Sequence, residues 1–319
     1  HEQFLPIREN RPDLVERMKP HVAAGRFGLG PGMFTNPAHN LCTREVLVRN
    51  VLYGQRCFRE LFGEAVDDVT FKMGSHIDVC RWHSQIPQLM GKMGFSAMLI
   101  GRPVAAMDAK GIARQFRWRG ADGTDIPCHR MTSYAMFAYS PYEADSLDKA
   151  LTDELATAEQ FGSGPASLLM FGWDDDGLPL GEPCREYDVF SAIKAWNGDH
   201  DVQVALGTPD ELAQELAGYT DSLPVVDGCL DPGASGRVTE NNHDNLFDLH
   251  FRAGQAAEQA ERAHMHFADA YPEAELRAMW EDILSFHPHA MAWLWQRDYE
   301  PMLLAAHTAE RTTPALRDQ

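Results

Sequence analysis

The sequence predicts an α/β fold followed by a helical layer, on three observations. Over about the first 230 residues, short apolar runs of strand length alternate with stretches of helical spacing, which argues for parallel βα units. Thr208-Pro209-Asp210-Glu211 combines a capping box with a proline at the first helical position, a strong helix start between strand-like segments. From about Asp231 onward strand signals all but cease.

The elements follow in order. Leu14, Val15, Met18 and Val22 have helical spacing, with Pro12 in the first turn and Gly25 as a stop; Pro20 is expected to kink or shorten this helix. A second helix is expected from Thr43 to Phe62, ended by Gly63, and a strand over Val69–Met73. Ile86–Met93 reads as a helix and Ala97–Ile100 as a strand. Gln115–Arg119 and Asp125–Cys128 flank Ala121-Asp122-Gly123, a hairpin pattern. Leu147, Leu151 and Leu155 mark another helix, and Ser167–Phe171 and Val202–Leu206 read as strands. After a Pro/Gly/Ser loop at Asp231–Gly236, helices are expected over Asn245–Ala270, Glu273–Phe286 and His289–Ala306. The domain boundary thus falls near residue 230, with a βα unit over 1–230 and a helical bundle over 231–319.

Composition narrows the function classes. With 44% hydrophobic and 24% charged residues the chain is globular. Its net charge of −19 argues against a binder of nucleic-acid backbones and against docking to anionic membranes. No run of about 18 apolar residues is present to span a bilayer. The six cysteines are scattered without a CxxC pair and read as free thiols. No leader peptide is recognisable, and the start at His1 rather than Met points to a processed, trimmed or fragmentary chain. A cytoplasmic location is favoured, with secretion as the alternative if a signal has been removed.

Chemistry concentrates at the ends of the expected strands. Asp78 follows the first strand and Asp174-Asp175-Asp176 follows Ser167–Phe171. In barrels of parallel βα units, groups just past strand carboxyl ends face the active site, and two carboxylates there can divide nucleophile and proton-donor roles. The plainer reading of an Asp triplet is a solvated loop or a helix cap. His76 and Asp78, and likewise His287 and His289, are spaced to put two metal ligands on one side of an extended segment. His264 and His266 point about 200° apart on a helix and do not converge; they read, with His250, as solvent-facing or half-buried. There is no Gly-x-Ser-x-Gly elbow, phosphate loop or dinucleotide fingerprint.

Several segments together resemble the catalytic domain of family-38 glycoside hydrolases, the retaining α-mannosidases. They are Pro12–Arg17 with Ala24-Gly25-Arg26, Gly32-Met33-Phe34, Asn36-Pro37, Leu47-Val48-Arg49 and Leu52–Arg56. The likeness continues at Ile86-Pro87-Gln88-Leu89, Phe116-Arg117-Trp118, Asp122-Gly123-Thr124 and Thr208–Leu212, then at Met279-Trp280 and Phe286-His287. It covers nearly the whole chain in consistent order.

The resemblance implies a seven-stranded β/α barrel followed by a three-helix bundle. It implies a retaining, metal-dependent hydrolase of an α-mannoside or related glycoside, with Zn2+ or another divalent cation as cofactor. The family's nucleophile, which also binds the metal, lies nine positions before a proline; counting back from Pro87 gives Asp78. The family's acid/base in a Gly-x-x-Asp loop falls on Asp175, with Asp174 beside it as a substrate contact. The late metal ligand falls on His287, a substrate-contacting tyrosine on Tyr134, and the histidine upstream of it on His129.

The chain departs from the family at stated points. The first-strand His-x-Asp motif, which supplies two metal ligands, has no counterpart. Asp78–Ser84 keeps the Asp and Ser of the nucleophile segment but changes what lies between, Pro288 replaces the Asp after the metal histidine, and Asn36 replaces an acidic residue. The expected partners are a carbohydrate substrate and either a second copy of the chain or a further stretch of polypeptide that completes the site. The rival readings are a non-catalytic carbohydrate-binding or scaffold subunit on the same barrel, and a metal-dependent enzyme on another substrate, such as a carbohydrate lyase.

Overall fold

The computed structural model describes residues 4–37, 39, 42–66, 70–77, 79, 82–131, 146–169, 189–230, 244–267 and 271–285. Two helices open it, α1 (Phe4–Asn10) and α2 (Pro12–Ala23). The latter carries Pro20 in its last turn and still reaches Ala23, so the expected shortening does not occur. An exposed proline there removes the partner of only one carbonyl, which water can replace. Helix α3 (Arg44–Phe62) starts at Thr43, whose hydroxyl accepts the Val46 N–H, and buries Leu47, Val51, Phe58 and Leu61 on one side. That stripe is the periodicity read from the sequence.

The sheet comprises β1 (Met73–His76), β2 (Ala97–Ile100), β3 (Gln115–Arg119), β4 (Asp125–Arg130) and β5 (Val225–Asp227) in the order β1-β2-β4-β3-β5. The first, second and fourth strands run parallel; β3 is antiparallel to β4, and β5 is parallel to β3. The expected hairpin is therefore present, with Gly123 at φ 86 in its turn.

Between and after the strands lie α4 (Ile86–Lys92), α5 (Val104–Ala109), α6 (Ser146–Phe161), α7 (Val189–Asp199) and α8 (Pro209–Ala217). The chain ends, among the described residues, with α9 (Asp244–Phe267) and α10 (Glu273–Ser285). The helix expected over 289–306 and the loop expected over 231–236 lie outside the described residues.

Both sheet faces are covered. One presents Met98, Ile100, Phe116, Trp118, Ile126 and Cys128 to α3 and α4, forming the largest apolar cluster. The other presents Met73, Ala97 and Leu99 to Leu212, Ala213 and Leu216 of α8. Alternation along each strand divides these two sets. The fold is thus α/β, a five-stranded sheet with helices on its faces. A third cluster joins α3 to the last two helices through Phe34, Val46, Ala257, Met279 and Trp280. Its polar centre is Glu261, which accepts from Arg49 at 2.6 Å, from the Trp280 indole at 3.0 Å and from the Tyr271 hydroxyl at 2.5 Å.

Three expected strands are corrected. The strand placed at Val69–Met73 begins at Met73, because Phe71 sits in the left-handed region (φ 62) and its amide, with those of Lys72 and Met73, is held by the Asp210 carboxylate of α8. In Ser167–Phe171 the described residues 167–169 are not strand. Nor is Val202–Leu206, where the Asn197 side chain holds both the N–H and the carbonyl of Val204, at 2.7 and 2.9 Å, and Leu206 is 62% exposed. In each place a side chain takes the hydrogen bonds that a neighbouring strand would have used. Strand β5 and helices α1, α5 and α7 were not expected.

Candidate active site at the carboxyl ends of the parallel strands

The parallel strands end in register, His76 beside Ile100 and Ile100 beside Arg130. Just beyond them the chain packs tightly. A Cβ on Gly101 would lie 1.9 Å from the Ile77 carbonyl oxygen, so only glycine allows the two backbones this approach. Val79 and Trp82 are buried on the far side of Asp78 in sequence. The Trp82 indole N–H donates to the Arg102 carbonyl at 2.8 Å, and its ring meets Trp118 edge-on at 5.8 Å and His39 at 5.1 Å. The Cys229 thiol donates to the Trp82 carbonyl at 2.6 Å, and the Ala121 N–H to the Ser84 carbonyl at 2.9 Å. Burial and the charge of Arg44 lower the pKa of His83, whose Nδ1 accepts the Gln85 N–H. Ile77 and the residues 82–85 are thus held by apolar packing and backbone contacts.

A second stretch, 162–169, crosses beside β3 and β4 and is held differently. Gln115 of β3 accepts the Gly164 N–H at 2.6 Å and the Tyr219 hydroxyl at 3.2 Å, and its amide donates to the Ala166 carbonyl at 2.5 Å. His129 of β4 lies 3.2 Å from that amide through Nδ1, and its Nε2 is 3.4 Å from the Leu168 N–H. His129 is fully buried; burial, helped by the charge of Arg114, pushes its pKa down to about 3, so it is neutral. A neutral imidazole accepts at one nitrogen at a time, so His129 holds either Gln115 or Leu168.

Beneath it lie two arginines with no exposed side-chain surface. Arg114 donates to the Arg130 carbonyl and pairs with Glu154, which also accepts from the Ser167 hydroxyl at 2.7 Å. Arg130 pairs with Asp108 at 2.5 Å and lies 4.7 Å over the Phe161 ring. Burial lowers the Arg130 pKa, opposed by Asp108.

Of the six site residues taken from the sequence, His129 alone is among the described residues, and its contacts are with protein groups inside the fold. Asp78, Tyr134, Asp174, Asp175 and His287 lie outside them, as does His289. His76 is described by its backbone, which ends β1 two positions before Asp78. His264, expected to be solvent-facing or half-buried, is 6% exposed, on a buried side of α9 with Ala257, Ala260 and Glu261. The carboxylate of Asp78 and the imidazole of His287 are donors zinc accepts; among the described residues no group of three or more His, Cys, Asp or Glu could complete such a shell. Gly101, Trp82 and Gln115, which hold the two stretches in place, carried no sequence signal of that role beyond their residue types.

The sequence profile described as "Glycosyl hydrolases family 38 N-terminal domain" matches residues 2–228. The chain belongs to glycosyl hydrolase family 38. It is 30% identical over 307 residues to alpha-mannosidase G of Dictyostelium discoideum and 23% identical over 306 residues to an alpha-mannosidase of Saccharomyces cerevisiae. These matches cover 89% and 90% of this chain but 27% of each relative, so the chain spans about a quarter of their length. Among solved structures, an alpha-mannosidase from Enterococcus faecalis V583 superimposes with a TM-score of 0.75 at 20% identity, covering 97% of this chain and 35% of that one. A second family-38 protein from Enterococcus faecalis gives 0.65 at 21% identity, covering 97% and 33%. These two likenesses establish the fold. Among the described residues no helix is long and apolar enough to cross a membrane.

Proposed function

We propose that this family-38 chain carries the catalytic carboxylates of a retaining glycoside hydrolase acting on an α-mannoside or a related glycoside, with a divalent cation, Zn2+ by preference, as cofactor. The observation that supports it most is the coincidence of family and position: within the matched span 2–228, Asp78 follows by two residues in sequence the end of β1, which runs parallel to its neighbour β2. In this reading the described sheet belongs to a seven-stranded barrel over 1–230, and α9 and α10 belong to a three-helix bundle over 231–319.

Asp78 attacks the anomeric carbon and forms a glycosyl ester, while Asp175 protonates the departing oxygen. Asp175 then takes a proton from water as the ester is hydrolysed. Retaining pairs stand about 5–5.5 Å apart. Asp174 and Tyr134 serve substrate binding, whereas His129, fully buried against Gln115 and Leu168, supports the 162–169 stretch instead. Asp78 and His287 would hold the cation, which would fix adjacent sugar hydroxyls as a Lewis acid. A second copy of the chain or further polypeptide supplies the remaining ligands.

The test is turnover of an activated aryl α-mannoside by the full chain, by Asp78→Ala, and after chelation, with the first-formed anomer read by NMR. The reading expects α-mannose first, and a loss on the order of 10⁴-fold both in the variant and on chelation, set by losing the nucleophile or its cation. β-Mannose first, or a variant as active as the parent, overturns it. No turnover beside sugar-dependent thermal stabilisation replaces it with a carbohydrate-binding subunit.

A further inference from the structure

The start of α3 and one face of α9 enclose an open cleft of about 620 Å³. Its walls are Arg44 and Glu45 on α3, and Phe251, Gln255, Glu258 and Arg262 on α9. The four α9 positions recur at intervals of four, three and four, so they share one side of the helix. Close backbone approach sets the spacing of the walls. A Cβ on Gly254 would lie 2.9 Å from the Val46 side chain and 3.3 Å from the Thr43 hydroxyl. Further along, Glu261 of α9 pairs with Arg49 of α3 at 2.6 Å and ties the same two helices together.

The lining carries unused binding capacity. The Phe251 ring is 43% exposed. The side chains of Arg44 and Gln255 have no hydrogen-bond partner among the described residues. The two carboxylates are only partly engaged, Glu45 by Arg49 and Glu258 by Arg262, and each keeps free oxygen lone pairs. An open apolar ring beside planar donors and acceptors suits a neutral sugar, which has an apolar C–H face and an edge of hydroxyls. A small anion would meet the charges of Glu45 and Glu258. A purely apolar ligand would strip water from Arg44 and Gln255 and give nothing in return. The volume lies within the range of small-molecule sites.

We propose that this cleft between α3 and α9 binds a neutral glycosyl unit, its ring face on Phe251 and its hydroxyls on Arg44, Gln255 and Glu258. The site goes beyond the reaction proposed above and needs neither Asp78 nor a cation.

The test uses the full chain labelled with 3-fluorophenylalanine, with EDTA present throughout. The fluorine resonances of Phe251 and of Phe190, an exposed ring on α7 that does not line the cleft, are assigned with Phe251→Leu and Phe190→Leu. An α-linked mannotriose is then titrated. The Phe251 resonance should shift saturably with a Kd of about 1 mM, the scale of one ring contact and a few hydrogen bonds, and the Phe190 resonance should stay in place. Gln255→Ala, at an exposed position, should keep the fold and weaken binding severalfold. No saturable shift at Phe251, or an equal shift at Phe190, overturns the site. Inorganic phosphate that shifts Phe251 and competes with the sugar overturns the ligand class in favour of an anion. A Gln255→Ala chain that binds as tightly as the parent overturns the assigned hydroxyl contacts. Absence of glycoside turnover would overturn the reaction proposed above and leave this binding result standing.

Discussion

The residues 82–85 that lead into α4 and the stretch 162–169 border the same sheet, yet they are fixed by different forces. Ile77 and residues 82–85 are held by close backbone approach at Gly101, by the buried Trp82 ring and by bonds to backbone carbonyls. Gly162 to Leu169 is held by the side chains of Gln115, His129 and Tyr219 and by Glu154 through Ser167. Apolar packing is spread over many weak contacts and is indifferent to pH. A side-chain hydrogen-bond cluster depends on a few groups and on their protonation states. The residues around Trp82 are thereby the part that loss of packing breaks, and the 162–169 stretch the part that single polar substitutions and acid can displace.

The largest expected effect breaks the apolar side of this contrast. Trp82→Ala removes a fully buried indole between Trp118 and His39 and should destabilise the protein by roughly 3–5 kcal/mol, read as a lower midpoint in urea. An unchanged midpoint would mean that Trp82 does not anchor the Asp78 stretch.

Acid probes the polar side. His129 has its pKa lowered in the fold, to about 3 against an ordinary value of 6.5, so the unfolded chain binds a proton that the folded one does not. The sign follows: the favourable neutral state is intact above pH 6.5, and stability is lost as pH falls from 6.5 toward about 3. The slope from this residue is about 1.4 kcal/mol per pH unit. Stability measured at pH 6.5 and 4.5 should therefore fall less in His129→Gln than in the parent. Equal losses would show that His129 is not held neutral.

The smallest effect sharpens how the Asp78 stretch begins. Thr208 caps α8, the helix whose Asp210 carboxylate gathers the amides of residues 71–73 ahead of β1. Burial raises the Asp210 pKa, and the three amides pull it back. Thr208→Ala should lower stability by about 1 kcal/mol and leave pH dependence near His129 unaltered.

Much of the fold was legible because its cause is local. The Thr208 capping box, the turn at Gly123, the stripe of α3 and the apolar run Ala97–Ile100 stand where the sequence puts them. The strands expected near residues 70, 168 and 204 were not, because Asp210, Gln115 with His129, and Asn197 take over the backbone bonds there. Three of those partners are distant in sequence: Asp210 lies 138 residues from Lys72, Gln115 lies 49 from Gly164, and His129 lies 39 from Leu168. Periodicity cannot register such partners. Strand β5, three residues long, is too short to leave a pattern. In the candidate site the family motif points to Asp78, which lies outside the described residues, while Gln115 gave no signal, since an amide becomes a hub only through its neighbours in space.

The most direct test of the proposed chemistry is covalent. A fluorinated mannosyl fluoride, reactive enough to form the glycosyl ester but slow to release it, is incubated with the full chain, which is then digested and mapped by mass spectrometry. The account predicts one stoichiometric glycosyl adduct, on Asp78. An adduct on any other residue, or none, would contradict it.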